Sequence, residues 1–231
     1  MIFAQVLAWF ADAAHWRGPD GVPTRIVEHL YYTVITVLIA SAIAVPLGLW
    51  VGHTGRGGVV LVGLANAMRA LPTLGLLTLL FLLLRSQGVS TVVALVVLAV
   101  PPVLAGSYAG VQSVGADVVD AARGMGMTSA QRLFQIELPG ALPLLLGGVR
   151  SAVLQVVATT TVAAYLGLGG LGRLLLDGLR SADYPQMVAG ALLTAGLAVA
   201  LDVLLAGVTR LAVATGVQLS VDSRAARIGG G

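Results

Sequence analysis

No lysine and no cysteine occur among the 231 residues. The missing cysteine excludes structural disulfides, thiolate zinc sites and thiol nucleophiles. The missing lysine excludes a nucleotide-binding loop of the form G-x-x-x-x-G-K-[ST], whose Lys reaches the β- and γ-phosphates. Any ATP-driven step therefore has to be carried out by another chain. Charge of either sign is scarce: 10% of the residues are charged, against about 25% in an average soluble domain. That is too little to cover a water-facing surface. The net charge of +3 is too small to point to nucleic acid. His15, His29 and His53 lie far apart without metal-ligand spacing, and aromatic residues make up only 5%.

What the chain has in their place is apolar length. Hydrophobic residues make up 58%, and the mean hydropathy is +0.96. A membrane span needs about 20 mainly apolar residues, and five stretches qualify: 28–51, 58–84 (interrupted by Arg69 and Pro72), 89–111 (with Pro101 and Pro102 inside), 139–166 and 186–212. The expected fold is all-α and integral to the membrane, with about five transmembrane helices. The 30 glycines fit helices that pack closely through small residues. Residues 1–27 read as an N-terminal interfacial or extracytoplasmic segment: Met1–Trp16 is amphipathic without a basic leader, and Gly18-Pro19-Asp20-Gly21-Val22-Pro23 is a turn-rich separator. The membrane-spanning body is placed at 28–212 and a disordered tail at 213–231.

Two connections carry polar residues. The stretch 113–137 holds Asp117, Asp120, Arg123, Arg132 and Glu137 among periodic apolar residues. It reads as two short helices outside the hydrocarbon, joined near Gly124–Ser129. The second runs from Gly167-Leu168-Gly169-Gly170-Leu171-Gly172 to Asp183 and reads as a tight turn or re-entrant cap. If 113–137 is cytoplasmic, Arg56, Arg123, Arg132, Arg210, Arg224 and Arg227 share its side. Arg17, Arg25, Arg85, Arg173 and Arg180 face them from the other, and six against five does not orient the chain.

The segment Asp120-Ala121-Ala122-Arg123-Gly124-Met125-Gly126-Met127, continued by Ile136-Glu137-Leu138-Pro139, resembles the E-A-A-x-x-x-G-x9-I-x-L-P loop of permeases in binding-protein-dependent ABC importers. Asp120 replaces the usual Glu, keeping the charge and shortening the reach. Small Ala121 and Ala122 permit close approach to a partner, Gly126 permits a sharp turn, an acid early in the helix suits its dipole, and Pro139 suits entry into the next span. The likeness extends from about Trp16 to Leu211. It is nearest to the osmoprotectant subfamily through Glu28-His29-Leu30 with Thr33, Arg69-Ala70-Leu71-Pro72-Thr73-Leu74, Gly148-Val149-Arg150-Ser151-Ala152 and the 167–172 glycine run. The resemblance implies a type I importer permease of the bacterial cytoplasmic membrane, with Asp120, Ala121, Ala122, Gly126, Met127, Ile136, Leu138 and Pro139 in the ATPase-coupling loop. It implies ABC ATPase partners that bind the ATP and Mg, with no cofactor on this chain. An extracytoplasmic substrate-binding protein and a second permease copy or paralogue complete the expected set. The expected solute is glycine betaine, choline, carnitine or proline. Methionine and phosphonate importers share the scaffold and remain an alternative. With so few aromatic residues to cage a quaternary ammonium, high-affinity recognition is expected on the separate binding protein.

Arg69, Arg150 and Asp202 fall within the spans, each about 16 Å from the 113–137 side at ~1.5 Å per residue. Intramembrane charges pair or line a polar cavity, so Asp202 is expected to pair with Arg150 or Arg69 in a charge layer that could border the path. Tyr108 and Tyr165 are further candidates for lining it. A secondary transporter would show paired repeats, and none is visible. An intramembrane enzyme would need a Ser with a His, or paired acids, in the spans; these hold one acid in their interior, Asp202, with Glu28 and His29 only at the start of the first span. The chain is therefore expected to be a non-catalytic subunit.

Overall fold

A computed structural model describes residues 2–213, so the expectation of a disordered tail lies outside the described residues. All regular structure among them is helical: α1 (Ile2–Ala11), α2 (Val22–Thr54), α3 (Gly58–Arg69), α4 (Thr73–Leu84), α5 (Gln87–Gln112), α6 (Ala116–Gly124), α7 (Ser129–Arg132), α8 (Leu138–Ala163), α9 (Gly172–Ser181) and α10 (Tyr184–Ala212). Four runs are long and apolar enough to cross a membrane: Val22–Thr54, Gln87–Gln112, Ser129–Leu166 and Tyr184–Ala212. The pair α3 and α4, bent by 89°, makes a fifth when it is counted as one broken span.

α5 is the centre of the bundle, packed along α2 on one side and α8 on the other. Lipid tails are as apolar as leucine, so these helices hold together by close approach rather than by hydrophobic transfer. Small residues at the crossings allow it. A Cβ on Gly48 would lie 2.6 Å from Ser107 Cβ, and one on Gly52 would lie 2.7 Å from Val111 Cβ. The shared core of α2, α5 and α8 accordingly combines Ala40, Ala44, Ala99 and Ala152 with Leu95, Val103, Val156 and Val157.

One of the prolines inside this core is compensated from the neighbouring helix. Pro102 has no N–H to offer the carbonyl of Leu98, and Nε2 of Gln155 on α8 donates to that oxygen at 3.0 Å. At the end of α2, where helical carbonyls lack partners, Nε2 of Gln112 donates to Gly52 O at 2.8 Å.

Several boundaries differ from those expected. α2 begins at Val22, so residues 22–27 belong to the first long helix and not to a separate segment. Pro23 sits in the first turn, where a missing N–H costs nothing. The interruption expected in the 58–84 stretch is a sharp elbow between two helices, because Pro72 lacks a donor and drives Leu71 out of helical backbone. The second short helix of 113–137 is not free-standing: α7 runs through a π turn at Leu133–Glu137 into α8, giving one helix from Ser129 to Leu166. α1 does not lie on the bilayer surface alone, since Trp9 packs with Val22, Leu171, Leu174 and Ala189 against α9 and α10. α9 itself was not anticipated; the connection after the glycine run forms a helix with Leu174 and Leu176 buried, while Asp177 forms ion pairs with Arg173 and Arg180 on its other face.

Candidate functional site

The 113–137 segment is a compact corner. α6 ends on Gly126 at φ +80°, with Gly126 N–H donating to Arg123 O at 2.9 Å and Met127 N–H to Ala122 O at 3.1 Å. These are the paired bonds of a glycine-terminated helix, and they explain the spacing from Ala122 to Gly126. Thr128 then caps α7: its hydroxyl accepts from Gln131 N–H, and the Gln131 side chain accepts from Thr128 N–H. Arg132 donates to Met127 O at 3.2 Å and braces the corner from behind.

Of the expected residues, Ala122 is buried while Asp120 and Ala121 are exposed. Asp120 is not early in its helix. It is the fifth residue of α6, the first-turn acid is Asp117, and Asp120 instead bonds Arg123 at 3.2 Å. Leu138 packs with Leu133 against Leu49, Val111 and Leu145, Ile136 is half-buried beside it, and Pro139 opens α8. Val118, Met125 and Phe134 stand exposed on the outer surface of the corner. An exposed apolar surface on a rigid, capped corner is suited to a protein partner.

Sequence reasoning passed over a second cluster here. His53, in the last turn of α2, places Nδ1 2.5 Å from Glu137 Oε2 and Nε2 2.5 Å from Ser129 Oγ. At the far end of α2, Glu28 Oε2 accepts from Gly170 N–H at 2.7 Å. His29 Nδ1 accepts from Leu171 N–H at 3.3 Å, and its Nε2 donates to Val157 O at 3.0 Å. The two partners fix a neutral ring protonated at Nε2. The 167–172 run is therefore a turn pinned onto α2, with Gly167 and Gly170 both at φ +86°.

Within the spans, Asp202 of α10 takes Arg150 of α8 in a two-pronged pair, Nε to Oδ1 at 2.5 Å and Nη2 to Oδ2 at 2.6 Å. Arg69 does not join them. It stands exposed at the α3–α4 elbow with no carboxylate paired to it among the described residues. It borders a cavity of about 240 Å³ with Asn66, Leu104 and Tyr108. Tyr165 is exposed near the opposite end of α8 and lies outside that cavity.

A sequence profile described as the binding-protein-dependent transport system inner membrane component matches residues 44–213. The chain is 31% identical over 191 residues, 83% of its own length and 88% of the relative's, to a glycine betaine/carnitine/choline transport system permease protein of Bacillus subtilis. It is 33% identical over 183 residues, 77% of this chain and 85% of the relative, to an osmoprotectant import permease protein of Salmonella typhimurium. Among solved structures, the inward-facing MetNI methionine ABC transporter matches with a TM-score of 0.72 at 20% identity, over 83% of this chain and 95% of that one. At that identity the likeness speaks to the fold.

Proposed function

The chain belongs to the family of binding-protein-dependent transport system inner membrane components, and on that premise we propose that it forms the path by which an ATP-driven importer carries a compatible solute such as glycine betaine, choline, carnitine or proline. It is a multi-pass protein of the cytoplasmic membrane and a permease subunit. Membership brings ATPase subunits and a binding protein as partners. In our reading the ATPases hold the ATP and Mg²⁺, and the 113–137 corner is their dock. A second permease copy or a paralogue would complete the path.

The observation that carries the reading is the corner itself. Every residue between Ala122 and Arg132 that turns the chain is capped or braced, while Val118, Met125 and Phe134 are left outside. A rigid corner with an apolar face delivers a push, where a flexible loop would absorb it. A second permease subunit is supported by the Arg150–Asp202 pair, whose side chains remain 39% and 30% exposed in the single chain. Charges at that depth need cover from a polar cavity or another protein.

The test is ATP-dependent uptake of labelled glycine betaine, choline, carnitine and proline by the chain reconstituted with its ATPase and binding protein. Gly126→Ala is expected to slow uptake several-fold while the ATPase stays bound. A Cβ there meets nothing within 4 Å, so only the backbone at φ +80° objects, at about 1–2 kcal/mol. Uptake of none of the four solutes, with ATP hydrolysis still responding to the chain, would overturn the solute assignment and leave the family intact.

A further inference from the structure

The ends of α2 and α8 beside the coupling corner are tied by one imidazole. His53 is half-buried, Glu137 is 4% exposed, and Ser129 is exposed. Glu137 and Ser129 lie 84 and 76 positions along the chain from His53. With Nδ1–H donated to Glu137, Nε2 accepts from the Ser129 hydroxyl. A buried carboxylate needs such a donor, and His53 supplies it from another helix.

Both partners sit on the one helical run Ser129–Leu166, and their alignment depends on the π turn. At ~100° per residue, residues eight apart point about 80° apart on an α-helix. The wider i→i+5 turn over Leu133–Glu137 advances less per residue and brings Ser129 and Glu137 back to one face. Within the turn Leu138 N–H reaches Leu133 O, five residues back. Pro139 follows directly and has no N–H for the carbonyl of Gln135, so the wide turn lies immediately before the proline that closes the coupling motif.

Ser129, His53 and Glu137 stand in the order of a hydrolytic triad, but a nucleophile requires room for its substrate. The adjoining cavity of about 310 Å³ is lined by Gly52, His53, Gln112, Asp120, Arg123 and Glu137, and Ser129 does not border it. The arrangement is a clamp.

We propose that His53 is a positioning residue that makes α2 and the α7–α8 run one rigid body, so that a push on the corner moves α2 as a strut. This rests on the reading of the corner as the ATPase dock. The strut ends at Glu28 and His29, which hold Gly170 and Leu171. The clamp therefore gives the cytoplasmic push a direct mechanical route to the outer glycine turn.

The chain's lack of cysteine permits a clean test. Nitroxides on Thr54→Cys and Ala130→Cys, both exposed, report the junction in the full transporter with its ATPases. Their dipolar broadening is expected to be the same without nucleotide and after trapping with MgATP and vanadate. With His53→Ala it is expected to be lost on trapping, and with Ser129→Ala, an exposed position, partly lost. Broadening that changes on trapping in the unaltered clamp would overturn the proposal. So would broadening that persists in both variants, and should His53→Ala fail to assemble, Ser129→Ala decides alone. The measurement needs no solute, so it stands apart from the substrate assignment. A chain that captures no ATPase would overturn the dock and the strut together.

Discussion

Replacing Asp202 by Asn is expected to lower the amount of folded chain in the membrane several-fold and to abolish most uptake by what remains. Asp202 lies ten residues before the end of α10 at Ala212, about 15 Å along the helix at ~1.5 Å per residue. That depth is close to the middle of the hydrocarbon, where the guanidinium of Arg150 has Asp202 as its bidentate partner. Removing one member of such a pair leaves the other charge uncompensated, which costs far more than the pair contributes when intact. α10 is also the least enclosed of the long helices and packs mainly on α8, α9 and α1, so a lost tie to α8 weakens its seating directly. The double change Arg150→Met with Asp202→Leu removes both charges at similar volume and is expected to restore the level and most of the uptake. The level is measured by fluorescence-detected size exclusion of the solubilised complex. A normal level and full uptake in Asp202→Asn would refute the structural role. A restored level without uptake in the double variant would assign the pair to the path itself.

The spans and the capped corner at 113–137 were legible because each is written locally. Twenty apolar residues announce a crossing wherever they fall, and the Ala122–Gly126 spacing is a cap whose donors and acceptors lie within five residues. The equal depth of Arg69, Arg150 and Asp202 points to a pair with either arginine, and the 89° bend that carries Arg69 to the elbow leaves Arg150 as the partner. What stayed hidden depended on register between distant segments. Nothing near His53 in sequence names Glu137, and no residue pattern over 133–137 announces the π turn that aligns Glu137 with Ser129. α9 was missed for a different reason: the glycines before it read as a loop, yet its pairs Arg173–Asp177 and Asp177–Arg180 stand at helical spacing. The start of α2 was misplaced because Gly21 and Pro23 were read as turn residues, when a proline in a first helical turn is equally a start signal.

Gly106→Val is expected to leave almost no folded chain in the membrane, whereas Gly147→Val, one position from the same crossing, is expected to be close to normal. A Cβ on Gly106 would lie 2.6 Å from Leu144 O and 2.8 Å from Gly148 Cα, and one on Gly148 would lie 2.6 Å from Pro102 O. Every one of these atoms is backbone, so no side chain can turn aside. α5 and α8 would have to separate along a contact that continues at Gly110, whose Cβ would meet Ala141 O at 2.7 Å. Separation also removes the Gln155 amide from Leu98 O, reopening the hydrogen-bond gap left by Pro102. In lipid an unsatisfied carbonyl has no water to turn to, so the two losses reinforce each other. Gly147 is exposed and a Cβ there meets nothing within 4 Å, which makes it a control for helix propensity and added bulk at the same depth. Thermal stability of the purified complex and its yield are the readouts. Equal values for the two variants would mean that close approach of α5 and α8 at Gly106 and Gly148 is not what holds the centre of the bundle.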